Sequence, residues 1–151
     1  MYQRILVPVD NSATSRAALE EVKRFAKEQH AQVRVVHVID LAQFAWSANE
    51  FLDVPQLQET LRDSARRILS DSTALLESVG LKSESALLET WGGLLAKAVV
   101  EDAAKWGADL VIMGTHGYGG LTHILLGSVA EGVVRHSHIP VLLVRAKPEN
   151  E

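Results

Sequence analysis

Half of the ten glycines in this 151-residue chain, Gly114, Gly117, Gly119, Gly120 and Gly127, fall within one fourteen-residue stretch. Strand-to-helix loops usually run about two to six residues, so a loop of this length in a small domain is usually functional. Glycine permits positive φ there and lets backbone N–H groups close on an anion. Gly127 and Ser128 then open a helix, whose unpaired N–H groups and dipole favour a phosphate, and the Ser128 hydroxyl is one more donor. The chemistry on offer is anion binding by backbone. The same residues also read as a corner-turning loop in which Ser128 is only a helix cap. Two familiar phosphate motifs fail. No lysine lies between Lys105 and Lys147, which removes G-x-x-x-x-G-K-[ST], and Thr122 stands where G-x-G-x-x-G needs its last glycine.

Other reactive side chains are few. Asp10, after the first apolar run, is the one carboxylate that falls beside such a loop; it orders a divalent cation through phosphate or water, or it caps the first helix. His116 and His123 lie inside the glycine loop, within reach of a phosphate, whereas His37 sits in a buried strand and reads as a satisfied core histidine. His136-Ser137-His138 has a two-ligand spacing, but with no cysteine in the chain and no carboxylate pair nearby it forms no metal site. A phosphoacceptor domain needs paired acids after its first strand, and here Asn11 follows Asp10. The loop offers no lysine, no arginine finger and no base to orient water, the parts that phosphoryl transfer uses. Efficient catalysis is not expected.

These residues must be positioned by alternating strands and helices. Ile5 to Val9 is apolar without alternation, the pattern of a strand buried on both faces, with Pro8 at its exit end. Asn11 and Ser12 form a turn and cap, and Ala18, Val22, Phe25 and Ala26 repeat at helical spacing. Val33 to Ile39 predicts a second buried strand, and Leu57 to Val79 a long helix entered at Pro55. Between them, residues 40–54 carry Phe44, Trp46 and Phe51, which suit a loop over the sheet edge, a lid or a partner surface. Leu81 to Glu89 is a more polar edge strand, Leu95 to Trp106 a third helix, and Asp109 to Met113 another buried strand. A short helix from Ser128 leads to a last strand, Val141 to Val144. The order βαβαβαβαβ predicts an α/β fold, a parallel sheet with helices on both faces, in one domain spanning residues 1–151.

Composition narrows the partners. Fifteen Lys and Arg against nineteen Asp and Glu give a net charge of −4, and no basic run is present to neutralise a row of phosphates, which argues against nucleic acid. With 47% hydrophobic residues the chain buries a core, yet no stretch approaches the eighteen apolar residues of a membrane span, and five apolar residues before Asp10 are too few for a signal-peptide core. A cytoplasmic location follows as an expectation. Val141, Leu142, Leu143 and Val144 are apolar on both faces, and with only a short tail after them no helix is expected to cover them; a homodimer through this strand would satisfy its open edge.

Ile5-Leu6-Val7-Pro8-Val9-Asp10-Asn11-Ser12, Val36-His37-Val38-Ile39 and Gly114-x2-Gly117-x9-Gly127-Ser128 together resemble the universal stress protein family over essentially the whole chain. The glycine spacing is similar to that of the branch that binds ATP. The resemblance implies a doubly wound, five-stranded parallel sheet of order 3-2-1-4-5. It implies an adenine-nucleotide-binding regulatory module holding ATP, ADP or AMP, with Mg as the accompanying cation, and a homodimer through strand 5. Val7, Pro8, Val9 and Asp10 would line the adenosine side, Val38 and Ile39 the adenine, and Met113, Gly114, Gly117, Gly127, Ser128 and Val129 the ribose and phosphates. A slow ATPase or autophosphorylating enzyme and a nucleotide-independent scaffold are the alternatives. Tyr118, His123 and Gly132 stand where many relatives carry arginine, which implies weakened attraction for phosphates.

Overall fold

The computed structural model describes residues 1–44, 53–115 and 126–146. Along the chain run β1 (Arg4–Pro8), α1 (Ala13–Gln29), β2 (Gln32–Asp40), α2 (Val54–Glu77), β3 (Ser83–Thr90), α3 (Leu95–Trp106), β4 (Leu110–Gly114), α4 (Ser128–His136) and β5 (Val141–Val144), with a 3-10 turn at Leu41–Phe44. The strands form one parallel sheet of order β3-β2-β1-β4-β5. Trp46 and Phe51, two of the three aromatics singled out between β2 and α2, lie outside the described residues.

Residue parity sorts the side chains into layers, because successive strand residues point to opposite faces. Ile5 and Val7 of β1, Val33 and Val35 of β2, and Leu110 and Ile112 of β4 pack with Ala18, Leu19 and Val22 of α1 and Leu69 and Leu76 of α2. Leu6, Val36, Val111 and Met113 face the other way, onto Ala96, Val99 and Ala103 of α3 and Ala130 and Val133 of α4. Ile5, Leu6 and Val7 are fully buried, as the unalternated apolar run of a central strand requires. β3, at the sheet edge, is half-buried, with Glu84, Ser85 and Glu89 exposed.

β5 departs from expectation. Leu142 and Val144 pack on the α1 side and Val141 and Leu143 on the α4 side, so all four are half-buried within the chain. Helices earlier in the sequence supply the cover that local sequence could not show, and among the described residues nothing pairs with the strand's outer edge. Among the described residues no helix is long and apolar enough to cross a membrane.

Candidate functional site

β1 pairs with β2 as far as Pro8↔Val36, but with β4 only through Ile5↔Leu110 and Leu6↔Val111. Strands 1 and 4 part beyond these pairs, and since chain order reverses between them, a crevice opens at their carboxyl ends. It holds about 580 Å³ of empty space, part of it open solvent. Val36, Val38, Leu95, Val99 and Met113 line it with apolar surface, and Asp10, Ser12, Thr14 and Ser15 bring polar groups. Val129 and Ala130 in the first turn of α4 complete the wall.

The turn leaving β1 is held by a reciprocal set of hydrogen bonds. The Ser12 N–H donates to Asp10 Oδ1 at 2.8 Å, the Asp10 N–H to Ser15 Oγ at 2.9 Å, and the Ser15 N–H to Ser12 Oγ at 3.1 Å. Ser12 is thus the N-cap of α1 and Asp10 braces the turn before it, which corrects the alternative in which Asp10 itself caps the helix. His37 also lines the crevice, and its Nδ1 lies 2.6 Å from the Val9 carbonyl. A carbonyl only accepts, so Nδ1 carries the proton of this bond.

On the β4 side, the glycine at 114 is required by packing. A Cβ there would stand 2.7 Å from the carbonyl carbon of Thr14, so the start of α1 sits directly against the end of β4. The two ends of the following loop meet where the Gly127 N–H donates to the Thr115 carbonyl at 2.6 Å. Gly127 is the N-cap of α4, with no side-chain cap bond, and Ser128 is the first helical residue, exposed, so Ser128 is not the cap. Two helices therefore begin at the crevice, but only α1 has a side-chain cap.

Of the residues singled out from sequence, Pro8, Val9, Asp10, Val38, Met113, Gly114 and Val129 line the crevice, with Gly127 and Ser128 adjoining Val129. Val7 and Ile39 do not. Val7 is fully buried on the α1 side, and Ile39 packs with Leu41 and Ala65 beneath α2. Ile39 points away from its crevice-lining neighbour Val38 because the strand period turns alternate residues to opposite faces, while Val7 shares the cluster of Val9 but lies deeper in the core. His116, Gly117, Tyr118 and His123 lie outside the described residues. Gly132 faces α3, where a Cβ would meet the Ala96 Cβ at 2.5 Å, so the position closes a helix–helix contact. Sequence reading missed Leu95 and Val99 as site residues because helical periodicity marks a buried face without saying what it covers. Among the described residues no group of three or more potential metal-ligating side chains converges.

The same arrangement is found in known proteins. The model of the Universal stress protein family matches residues 1–145. Universal stress protein MJ0531 of Methanocaldococcus jannaschii is 37% identical over 151 residues, covering 100% of this chain and 86% of that protein. Universal stress protein MJ0577 of the same organism is 34% identical over 162 residues, covering 97% of each. The solved structure of MJ0577 aligns with a TM-score of 0.83 at 36% identity over 99% of both chains. A universal stress family protein from Burkholderia pseudomallei aligns at 0.76 and 31% identity, over 95% of this chain and 96% of that one. Because the likeness takes in the sheet, its helices and the strand ends that build the crevice, the chain belongs to the universal stress protein family.

Proposed function

We propose that this chain is a small adenine-nucleotide-binding module, one domain over residues 1–151, acting as a ligand-responsive regulator in a stress response in the cytoplasm. The observation that carries the reading is the crevice at the parting of β1 and β4, with the start of α4 at its wall. Its residues fit the ligand. Pro8, Val9 and Val38 offer apolar contact to a base, Met113, Gly114 and Val129 would hold the ribose, and the N–H groups after Gly127 suit a phosphate. His116 and Gly117 would belong to the same phosphate loop. Two other solved structures of this fold, each at 23% identity, are complexes with cAMP and with dAMP. The crevice walls present one carboxylate, Asp10, and no lysine or arginine among the described residues, which favours binding over efficient turnover.

Equilibrium binding of ATP, ADP and AMP to the purified protein, with and without Mg, tests the reading. Binding of at least one is expected, and no binding of any at millimolar concentration overturns it. Gly127→Leu is a clean probe, since φ −74° and ψ 166° at that position suit any residue; binding should fall while the melting profile is kept. Turnover of ATP that disappears in this variant would establish the enzyme instead. A protein partner indifferent to the change would favour the scaffold.

We also propose a homodimer formed edge to edge through Val141, Leu142, Leu143 and Val144. β5 ends the sheet, so its outward N–H and C=O groups are open to a two-fold partner. Sedimentation at micromolar concentration should give twice the chain mass, and a monomer overturns it.

A further inference from the structure

We propose that His37 is a positioning residue that keeps the crevice open: its imidazole takes the place of the next rung between β1 and β2, which leaves the Val38 N–H to the ligand. For the identity of that ligand the proposal rests on the nucleotide reading. Even-numbered residues of β2 bond to β1, since the Gln32 N–H donates to the Gln3 carbonyl at 2.8 Å and the Val36 carbonyl accepts from the Val9 N–H at 2.8 Å. Bonds alternate in direction along a parallel pair, so the next rung would run from the Val38 N–H to the Val9 carbonyl. That rung is missing. The Val9 carbonyl accepts from His37 Nδ1 at 2.6 Å instead, and among the described residues no backbone bond joins Val38 to Val9.

The peptide unit between Val9 and Asp10 is thus held by side chains at both ends. Its C=O points towards β2 and is taken by His37, and its N–H points the opposite way, as a trans peptide requires, and is taken by Ser15 Oγ at 2.9 Å. With both groups engaged, β1 can extend its pairing with neither neighbour. The end of β2 is secured from the other side, where its register with β3 continues to Asp40↔Thr90, Thr90 Oγ1 donates to the Ile39 carbonyl at 3.3 Å, and the Gly92 N–H donates to Asp40 Oδ1 at 2.8 Å. Val38 is half-buried and lines the crevice. A sheltered N–H without a partner costs free energy, so the donor on this wall favours a ligand that brings an acceptor. Remove the imidazole, and the Val9 carbonyl and the Val38 N–H become each other's best partners; the rung closes and the donor is lost.

Amide hydrogen exchange by NMR on the full chain without ligand tests the open rung directly. Val38 should exchange at least about tenfold faster than Val36, whose amide lies inside the ladder, and His37→Leu should slow it towards the Val36 rate. Titration with AMP and with ATP tests the consequence. His37→Leu should weaken whichever of the two binds the parent by about tenfold or more, the loss expected for one hydrogen bond, with the melting profile kept. His37→Asn places a side-chain N–H where Nδ1 stood and should return affinity to within about threefold of the parent, a recovery that packing alone does not explain. Bound nucleotide should slow Val38 exchange in the parent. Val38 exchanging as slowly as Val36 without ligand overturns the proposal, as does parental affinity in His37→Leu, or His37→Asn folded but unable to bind. Fast Val38 exchange in a parent that binds neither nucleotide supports the place of His37 in the ladder and overturns the nucleotide reading.

Discussion

At the scale of single residues, two glycines do different work from what their places in sequence suggest. Gly114 ends β4 where Thr14 of α1 presses against it, and a methyl group there would need the helix start to move. Gly114→Ala should destabilise the chain by ~1–3 kcal/mol, the usual cost of overpacking, seen as a lower urea midpoint. Nucleotide affinity should fall with it, since Thr14 and Gly114 both line the crevice. Gly132 stands against Ala96 on the opposite layer. Gly132→Arg should therefore lower the melting temperature without strengthening phosphate binding, whereas gained affinity with stability intact would show that the position faces the ligand.

At the scale of elements, charge ties the amino ends of the strands together, at the far end of the sheet from the crevice. Arg34 of β2 holds Asp102 of α3 through two bonds, at 2.8 and 3.0 Å, and Glu84 of β3 at 2.8 Å. The Asp102 hydrogen bond is the main cause that raises the Arg34 guanidinium above its ordinary value, against the opposing effect of burial. Asp102→Ala leaves that cation short of its best partner and should cost ~1–3 kcal/mol in chemical denaturation, with nucleotide affinity unchanged. On the outer face of α2 the logic is weaker. Hydrogen bonds from Arg66 and then Arg62 hold the Glu59 carboxyl below its ordinary 4.5. A depressed carboxylate stabilises above its unfolded value and loses that effect as pH falls through its folded one. Parent and Glu59→Gln should therefore differ slightly in melting temperature at pH 7, converge as pH falls below 4.5 and through the lower folded-state value, and differ less at high salt.

At the scale of the whole molecule, a ligand bound only by the folded state stabilises all of it. An adenine nucleotide present at about 100 times its Kd should add ~2.7 kcal/mol, or about 5–10 °C in melting temperature for a chain of this size. Calorimetry of Gly127→Leu should show the parent's melting temperature without ligand and little shift with it. Much of this architecture was legible without coordinates. Apolar runs mark strands that helices cover, so Ile5 to Val9, Val33 to Ile39 with its β-branched residues around Arg34 and His37, and Val141 to Val144 declared themselves, and β5 has those bounds. Glycine spacing marked the start of α4 because cap chemistry is local. Tertiary structure alone decided which face each residue serves. A period of two says that Val38 and Ile39 point opposite ways, but only the placement of α2 and α3 makes one a crevice wall and the other core. Likewise Leu95 and Val99, Gly132 against Ala96, and the helices that shelter β5 are contacts between elements distant in the chain. Local propensity carries no record of them, because they exist only once the crossovers have set the layers.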